Sequence, residues 1–156
     1  LAVSSVESQG LAFGRQITHI LENNDRYISI FGDLVPPLNA RDKWSETEKI
    51  VMRPEPPGGL KDPTLGIVGV GSNVPSKRSD IVIVDDVVTA LNAYSPVQRA
   101  KVESFVFQTL FPTVIPGGRR IVVGSRWDPR DLYSVFAERI GVEFPKSESI
   151  VIEETY

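Results

Sequence analysis

At 156 residues, 41% hydrophobic and 24% charged, the chain is long enough for one domain with a real core and has an ordinary globular composition. A net charge of -3 gives no global basic signature for nucleic acid, although a local patch or a further domain could supply one. The absence of cysteine excludes disulfides, thiolate zinc sites and thiol catalysis, and a single histidine, His19, argues against a histidine triad or a multi-histidine metal centre.

No apolar run is long enough to span a bilayer and no basic-apolar-small leader opens the chain, so a cytosolic protein is expected. The first residue, Leu1, lies inside an apolar run, which leads to the expectation of a fragment or a processed product. "LAVSS" reads as a short strand feeding a helix in "ESQGLAFGRQITHILENN". There Phe13, Ile17, Ile20 and Leu21 fall on one face, Ser8 is the expected N-cap and Asn23 or Asn24 the expected end. His19 lies off that stripe and is read as solvated.

From Asp33 to Gly59 the chain is rich in Pro, Asn and Gly and reads as loop, interrupted by one edge strand in "TEKIVMR", with Trp44 as a packing anchor. Leu65 to Val70 is the next strand, and Gly66, Gly69 and Gly71 suggest close backbone approach or a tight exit. Asp80 to Val84 is a strand of the kind buried on both faces, and it runs directly into Asp85 and Asp86. Ser95 as N-cap, Pro96 first and Gln98 completing a capping box open a helix with the stripe Val102, Phe105, Val106 and Leu110. "IPGG" reads as a turn, Arg119 to Val123 as another buried strand ending in "GSRW". Asp128 as N-cap, Pro129 first and Asp131 third open a last helix, with the stripe Leu132, Val135, Phe136 and Ile140 and a stop at Gly141. "ESIVIEE" is a final strand. This alternation predicts an α/β fold with a mainly parallel sheet flanked by helices.

In open parallel sheets, ligands bind outside the carboxyl ends of the strands. Two strand ends carry unusual polar residues: Asp85-Asp86, and Ser125-Arg126 after "RIVVG". If the strands are neighbours, carboxylates, a hydroxyl and a guanidinium converge on one edge. Paired carboxylates suit a hard cation such as Mg²⁺ that keeps several waters and shares phosphate ligands. The second acid can polarise an attacking water. Taken singly, either aspartate could instead cap the following turn, Ser125 could cap a turn, Arg126 could pair with Asp128 or Asp131, and Trp127 could be core.

The succession strand-"DD", capped helix, "PGGRRIVVGSRW" and "DPRDLYSVF" resembles the ATPase domain of the large terminase subunit of tailed bacteriophages, the motor that packages double-stranded DNA into proheads. "LAVSS" with its helix is similar to the family's segment after the P-loop helix, "KWSETEKIVMR" to its Trp-led strand, "DPTLGIVGVGS…SKRSDIVIVDD" to its Walker B approach, and "GSRWDPRDLY" to its coupling segment. The resemblance implies a P-loop NTPase-like fold of the terminase ATPase type, Mg²⁺ and ATP as cofactors, Asp85 as the Walker B aspartate acting on Mg²⁺, and Asp86 where many members carry the catalytic glutamate. It implies Ser125 and Arg126 as the motif that senses the γ-phosphate, and Arg78, with Lys77 an equal candidate, as an arginine or lysine reaching a neighbouring subunit's ATP. It further implies double-stranded DNA, the portal protein and the small terminase subunit as partners, a homo-oligomeric ring when packaging, no membrane, and a place in the cytoplasm of the infected bacterial host, transiently at the prohead portal.

Two departures matter. No G-x-x-x-x-G-K-[ST] occurs anywhere in the sequence, and "GVGS" is too short to replace it. The family's nuclease domain is also missing. The expectation is therefore one partial ATPase domain over 1–156, N-terminally incomplete, P-loop and nuclease segments absent, and inactive alone because the P-loop supplies most phosphate contacts. Competing expectations are a catalytically inactive remnant or split-gene product, a metal-dependent nuclease that would recruit Glu153 and Glu154, and a receiver domain, which would need a phospho-accepting aspartate at a later strand end.

Overall fold

The run Ile81–Val84 forms the middle of a strand, Ser79–Asp85, about which the fold is arranged. The computed structural model describes residues 1–41, 43–53, 62–74, 78–140 and 149–155. Lys77, the loop from Pro54 to Gly59 and the expected helix stop at Gly141 lie outside the described residues. In chain order the strands are β1 (Ala2–Ser4), β2 (Glu48–Lys49), β3 (Leu65–Gly69), β4 (Ser79–Asp85), β5 (Val114–Ser125) and β6 (Ser149–Thr155). The α-helices are α1 (Glu7–Asn23), α2 (Asp25–Phe31), α3 (Ala90–Ala93), α4 (Pro96–Ser104) and α5 (Leu132–Ile140).

The sheet has the order β2-β3-β1-β4-β5-β6. Its four central strands are parallel, and β2 and β6 close the two edges antiparallel. Parallel neighbours need a crossover, and the helical segments between β1 and β3 and between β4 and β5 supply them. The chain is thus α/β with a mostly parallel sheet flanked by helices. No helix among the described residues is long and apolar enough to cross a membrane.

Residues paired in parallel register share a face. Val3, Val84 and Val122 are on one face, packed with Val102, Val106, Leu110, Leu132, Tyr133 and Phe136 in a single core. Phe107, Phe111 and Phe136 meet there ring to ring, with centroids 5.5–5.9 Å apart. Ala2, Ile67 and Ile83 are on the other face, where α1 lies against β3. α1 comes close because its contact positions are glycines: a Cβ on Gly10 would lie 2.7 Å from Ile67 Cγ2, and one on Gly14 would overlap the Glu46 carbonyl.

Several sequence expectations change. β4 is buried on one face only: Val82 and Val84 are 0% exposed, whereas Ile81 is 44% exposed because α1 covers β3 and β1 rather than β4. The α1 stripe is rotated toward Gly10 and Gly14, leaving Phe13 and Ile20 exposed. Ser8 does not cap α1; the N-cap position is Val6, without a side-chain bond, since only two residues separate the helix from β1. Asn24 ends α1 as expected and caps α2, accepting from Tyr27 N–H at 3.0 Å. "IPGG" is not a free turn but a bulge inside a longer β5: Ser79 pairs with Val114 and Ile81 already with Arg119, and Gly117 takes φ 81°.

Ser95 and Pro96 open α4 as expected, and the apolar stripe continues through a π-helical stretch, Phe105–Leu110. Trp44 does anchor its loop, donating from Nε1 to Glu22 Oε1 at 3.0 Å beneath Arg41 and the buried Lys49.

Candidate active site at the carboxyl ends of the strands

β4 and β5 are neighbours, so the two polar strand ends lie on one edge of the sheet, but of these residues only the aspartates, and not Ser125 or Arg126, line the cavity there. Asp85 pairs with Val123, and the Asp86 N–H donates to the Val123 carbonyl at 2.9 Å. Ser125 lies two residues beyond Val123, about 7 Å along the strand, and on the same face as Val123 and Asp85. On the other side of β4, Ser4 ends β1 in register with Asp85. Ser4, Asp85 and Val123 therefore form a row across three parallel strands, on the face that α1 only partly covers, with Ser125 one step further along β5.

Asp86 has φ 46°, the only positive value at a non-glycine residue among those described. Aspartate tolerates this left-handed conformation better than most side chains, at a cost of about 1–2 kcal/mol. Residue 86 thereby leaves the strand direction immediately after Asp85, and both carboxylates border one cavity of about 420 Å³ together with Ser4, Gln9 and Phe13. Partial desolvation at the strand end, then the neighbouring Asp86 charge, raise the Asp85 carboxyl above its ordinary value.

Gln9 was not singled out by the sequence, yet its amide oxygen accepts from Ser5 Oγ at 2.8 Å and from Ser4 Oγ at 3.1 Å. The available signal was two serines directly after a strand with a glutamine one helical turn on. These hydroxyls and this amide add neutral hydrogen-bonding groups opposite two carboxylates. Among the described residues no group of three or more His, Cys, Asp or Glu is placed to hold a metal ion. The donor set is instead one that suits a hard cation keeping its waters and taking further oxygens from a phosphate substrate.

Beyond Ser125 the chain is fixed by Asp131. Its buried carboxylate accepts from Trp127 N–H at 2.8 Å, Asp128 N–H at 3.3 Å and Ser134 N–H at 3.1 Å. Asp131, not Asp128, is thus the N-cap of α5, which begins three residues later than the sequence suggested. Asp128 closes the preceding turn, accepting from Arg130 N–H at 2.9 Å and Nε at 3.2 Å; these bonds hold its carboxyl below the usual range. Trp127 is not core but largely exposed.

Arg78 stands at the opposite end of β4, about 20 Å from Asp85 along the strand, and is not brought into this cavity. It borders a second cavity with Asp62, Asp80 and Ile81. Glu153 and Glu154 lie within β6, level with Ile121 and Arg120, rather than beyond the strand ends. No family model matches the chain, and no curated protein matches it.

Proposed function

We propose that the chain is the Walker B-to-coupling part of a DNA-packaging ATPase, the large terminase subunit of a tailed bacteriophage, with a P-loop NTPase-like fold completed by a phosphate cradle that this sequence does not contain. The observation that supports this reading above others is that Asp85 and the left-handed Asp86 end one strand and Ser125-Arg126 follow the end of its parallel neighbour, at the same edge of the sheet. In this reading Asp85 would hold Mg²⁺, which when bound would supply positive charge beside the phosphates. Asp86 orients the water and takes its proton as the oxygen bonds to the γ-phosphorus and the bond to the ADP oxygen breaks. Ser125 and Arg126 contact the γ-phosphate and report its loss. Arg78, remote from Asp85 within one chain, serves a neighbouring subunit in a ring. DNA, portal and small-subunit partners, and a transient place at the prohead portal of the infected cell, belong to the same proposal.

The nuclease alternative is disfavoured because Glu153 and Glu154 are on a strand two removed from Asp85, level with Ile121 and Arg120 rather than with the carboxyl end of β5. The receiver alternative lacks an aspartate at the end of β5, which closes on Gly124 and Ser125. An inactive remnant with the same fold is favoured by one observation, the missing G-x-x-x-x-G-K-[ST]. Sequencing the DNA upstream of the Leu1 codon separates the two: a continuous frame carrying that motif identifies the parent. In that parent, Asp86→Asn is expected to lower DNA-stimulated ATP turnover by at least about a hundredfold while ATP binding persists. Lost ATP binding would make Asp86 structural and remove the mechanism.

A further inference from the structure

The Asp86 backbone is held out of the strand direction, and the groups that hold it are few. Its N–H donates to the Val123 carbonyl at 2.9 Å. That carbonyl also faces a hydroxyl: Tyr133 Oη donates to it at 3.4 Å and accepts from the Val88 N–H at 3.5 Å. Tyr133 is fully buried, and it reaches this point only because residue 124 is glycine; a Cβ there would overlap Tyr133 Oη. One phenol thus touches β5 immediately before Ser125 and the loop immediately after Asp86. It comes from α5, whose start is fixed by Asp131, the residue that also holds the Trp127 main chain. A closed circuit results: Asp86–Val88, Tyr133, Gly124–Trp127, Asp131, and back along α5 to Tyr133.

We propose that Tyr133 is a positioning residue for the acid pair: its hydroxyl clamps the Gly124-Ser125-Arg126 strand end to the Asp86–Val88 loop, keeps Asp86 left-handed, and passes displacement of one segment to the other. The hydroxyl is suited to this task. Burial raises its pKa, so it stays a neutral donor and acceptor across the physiological range. Filling core volume needs only the ring, which phenylalanine would supply, and a core tyrosine does not require glycine at 124. The clamp rests on the proposed ATPase reading only for what Asp86 then does; the geometry stands without it.

The test uses the isotopically labelled chain and no nucleotide. In the wild type, Asp86 should give the strong intraresidue amide–Hα cross-peak of a positive φ. In Tyr133→Phe at matched folded content, that cross-peak is expected to fall by roughly half or more as the loop samples ordinary φ, with amide-shift changes from Asp86 to Val88. An unchanged cross-peak would reduce Tyr133 to a packing residue and overturn the clamp. Should Tyr133→Phe not fold, Asp131→Ala in the wild-type background gives an independent reading, because loosening the start of α5 that carries Tyr133 displaces the hydroxyl and must shift the Val87 and Val88 amides; silence there also overturns the proposal. Neither outcome bears on ATP turnover, so this proposal and the ATPase reading fail separately.

Discussion

The two faces of β4 both carry β-branched apolar residues and behave differently. Val82 and Val84 point into the α3–α5 layer and are sealed; Ile81 and Ile83 point toward α1, which stands over β3 and β1 instead, and they border cavities. Stability is therefore concentrated on one face, and room for a ligand beside Asp85 is left on the other. The sharpest way to break this comparison is to truncate both sides. Phe136→Ala removes a ring packed against Phe107 and Phe111 on the sealed face and is expected to cost about 3–5 kcal/mol. Ile81→Ala, on the open face, is expected to cost about 1 kcal/mol or less. Urea unfolding monitored by circular dichroism measures both. Equal losses would mean that the open face is covered in solution.

A second contrast lies at the sealed end of the molecule, where a polar residue rather than an apolar one closes the layer. Asp131→Ala leaves three main-chain N–H groups without their carboxylate, next to the strand end that carries Ser125. The expected loss is about 2 kcal/mol, that of a helix cap plus an orphaned donor. Asp131→Asn, which keeps an acceptor oxygen, should recover about half of it in the same unfolding measurement. No recovery would mean that the negative charge, not the cap geometry, holds this turn.

How far the sequence foretold these features depends on whether the signal was local. The α4 cap at Ser95-Pro96 and the stripe from Val102 to Leu110 are local patterns, and both are realised. That the strands ending at Asp85 and Ser125 are neighbours needed only the premise that successive strands of an alternating chain pair, and it holds. What escaped depends on partners distant in sequence. Gly10 and Gly14 look like gaps in an apolar stripe until Ile67 and Glu46 are seen against them. An apolar run cannot declare that only one of its faces is covered, so Ile81 was read as core. Asp128 before Pro129 is the local cap pattern for α5, with Asp131 inside the first turn, yet it is the buried Asp131 that caps the helix. Tyr133 and Gly124 have meaning only as a pair, since one occupies the space the other leaves. Gln9 acquires its place from Ser4 and Ser5 only once the β1–α1 turn has formed.

The smallest expected effect is also the one that ties the open face to its chemistry. Partial desolvation and the Asp86 charge raise the Asp85 carboxyl in the folded chain. The unfolded chain therefore releases this proton at lower pH than the folded chain does. As pH rises past the ordinary carboxylate range near 4, the folded state alone retains a disfavoured charge or a bound proton, and stability falls until the folded carboxyl has ionised. Below that window both states are protonated and nothing is lost. Asp85→Asn keeps the shape, removes the charge and relieves Asp86, so its urea midpoint should exceed that of the wild type at pH 7 and match it at pH 3. A residue that serves only the fold would not be expected to gain stability when neutralised; one retained for a cation would. If Asp85→Asn is instead less stable than the wild type at pH 7, the carboxylate is held by hydrogen bonds of the folded chain. The acid pair would then be part of the turn that ends β4, and the open face would lose its claim to a ligand.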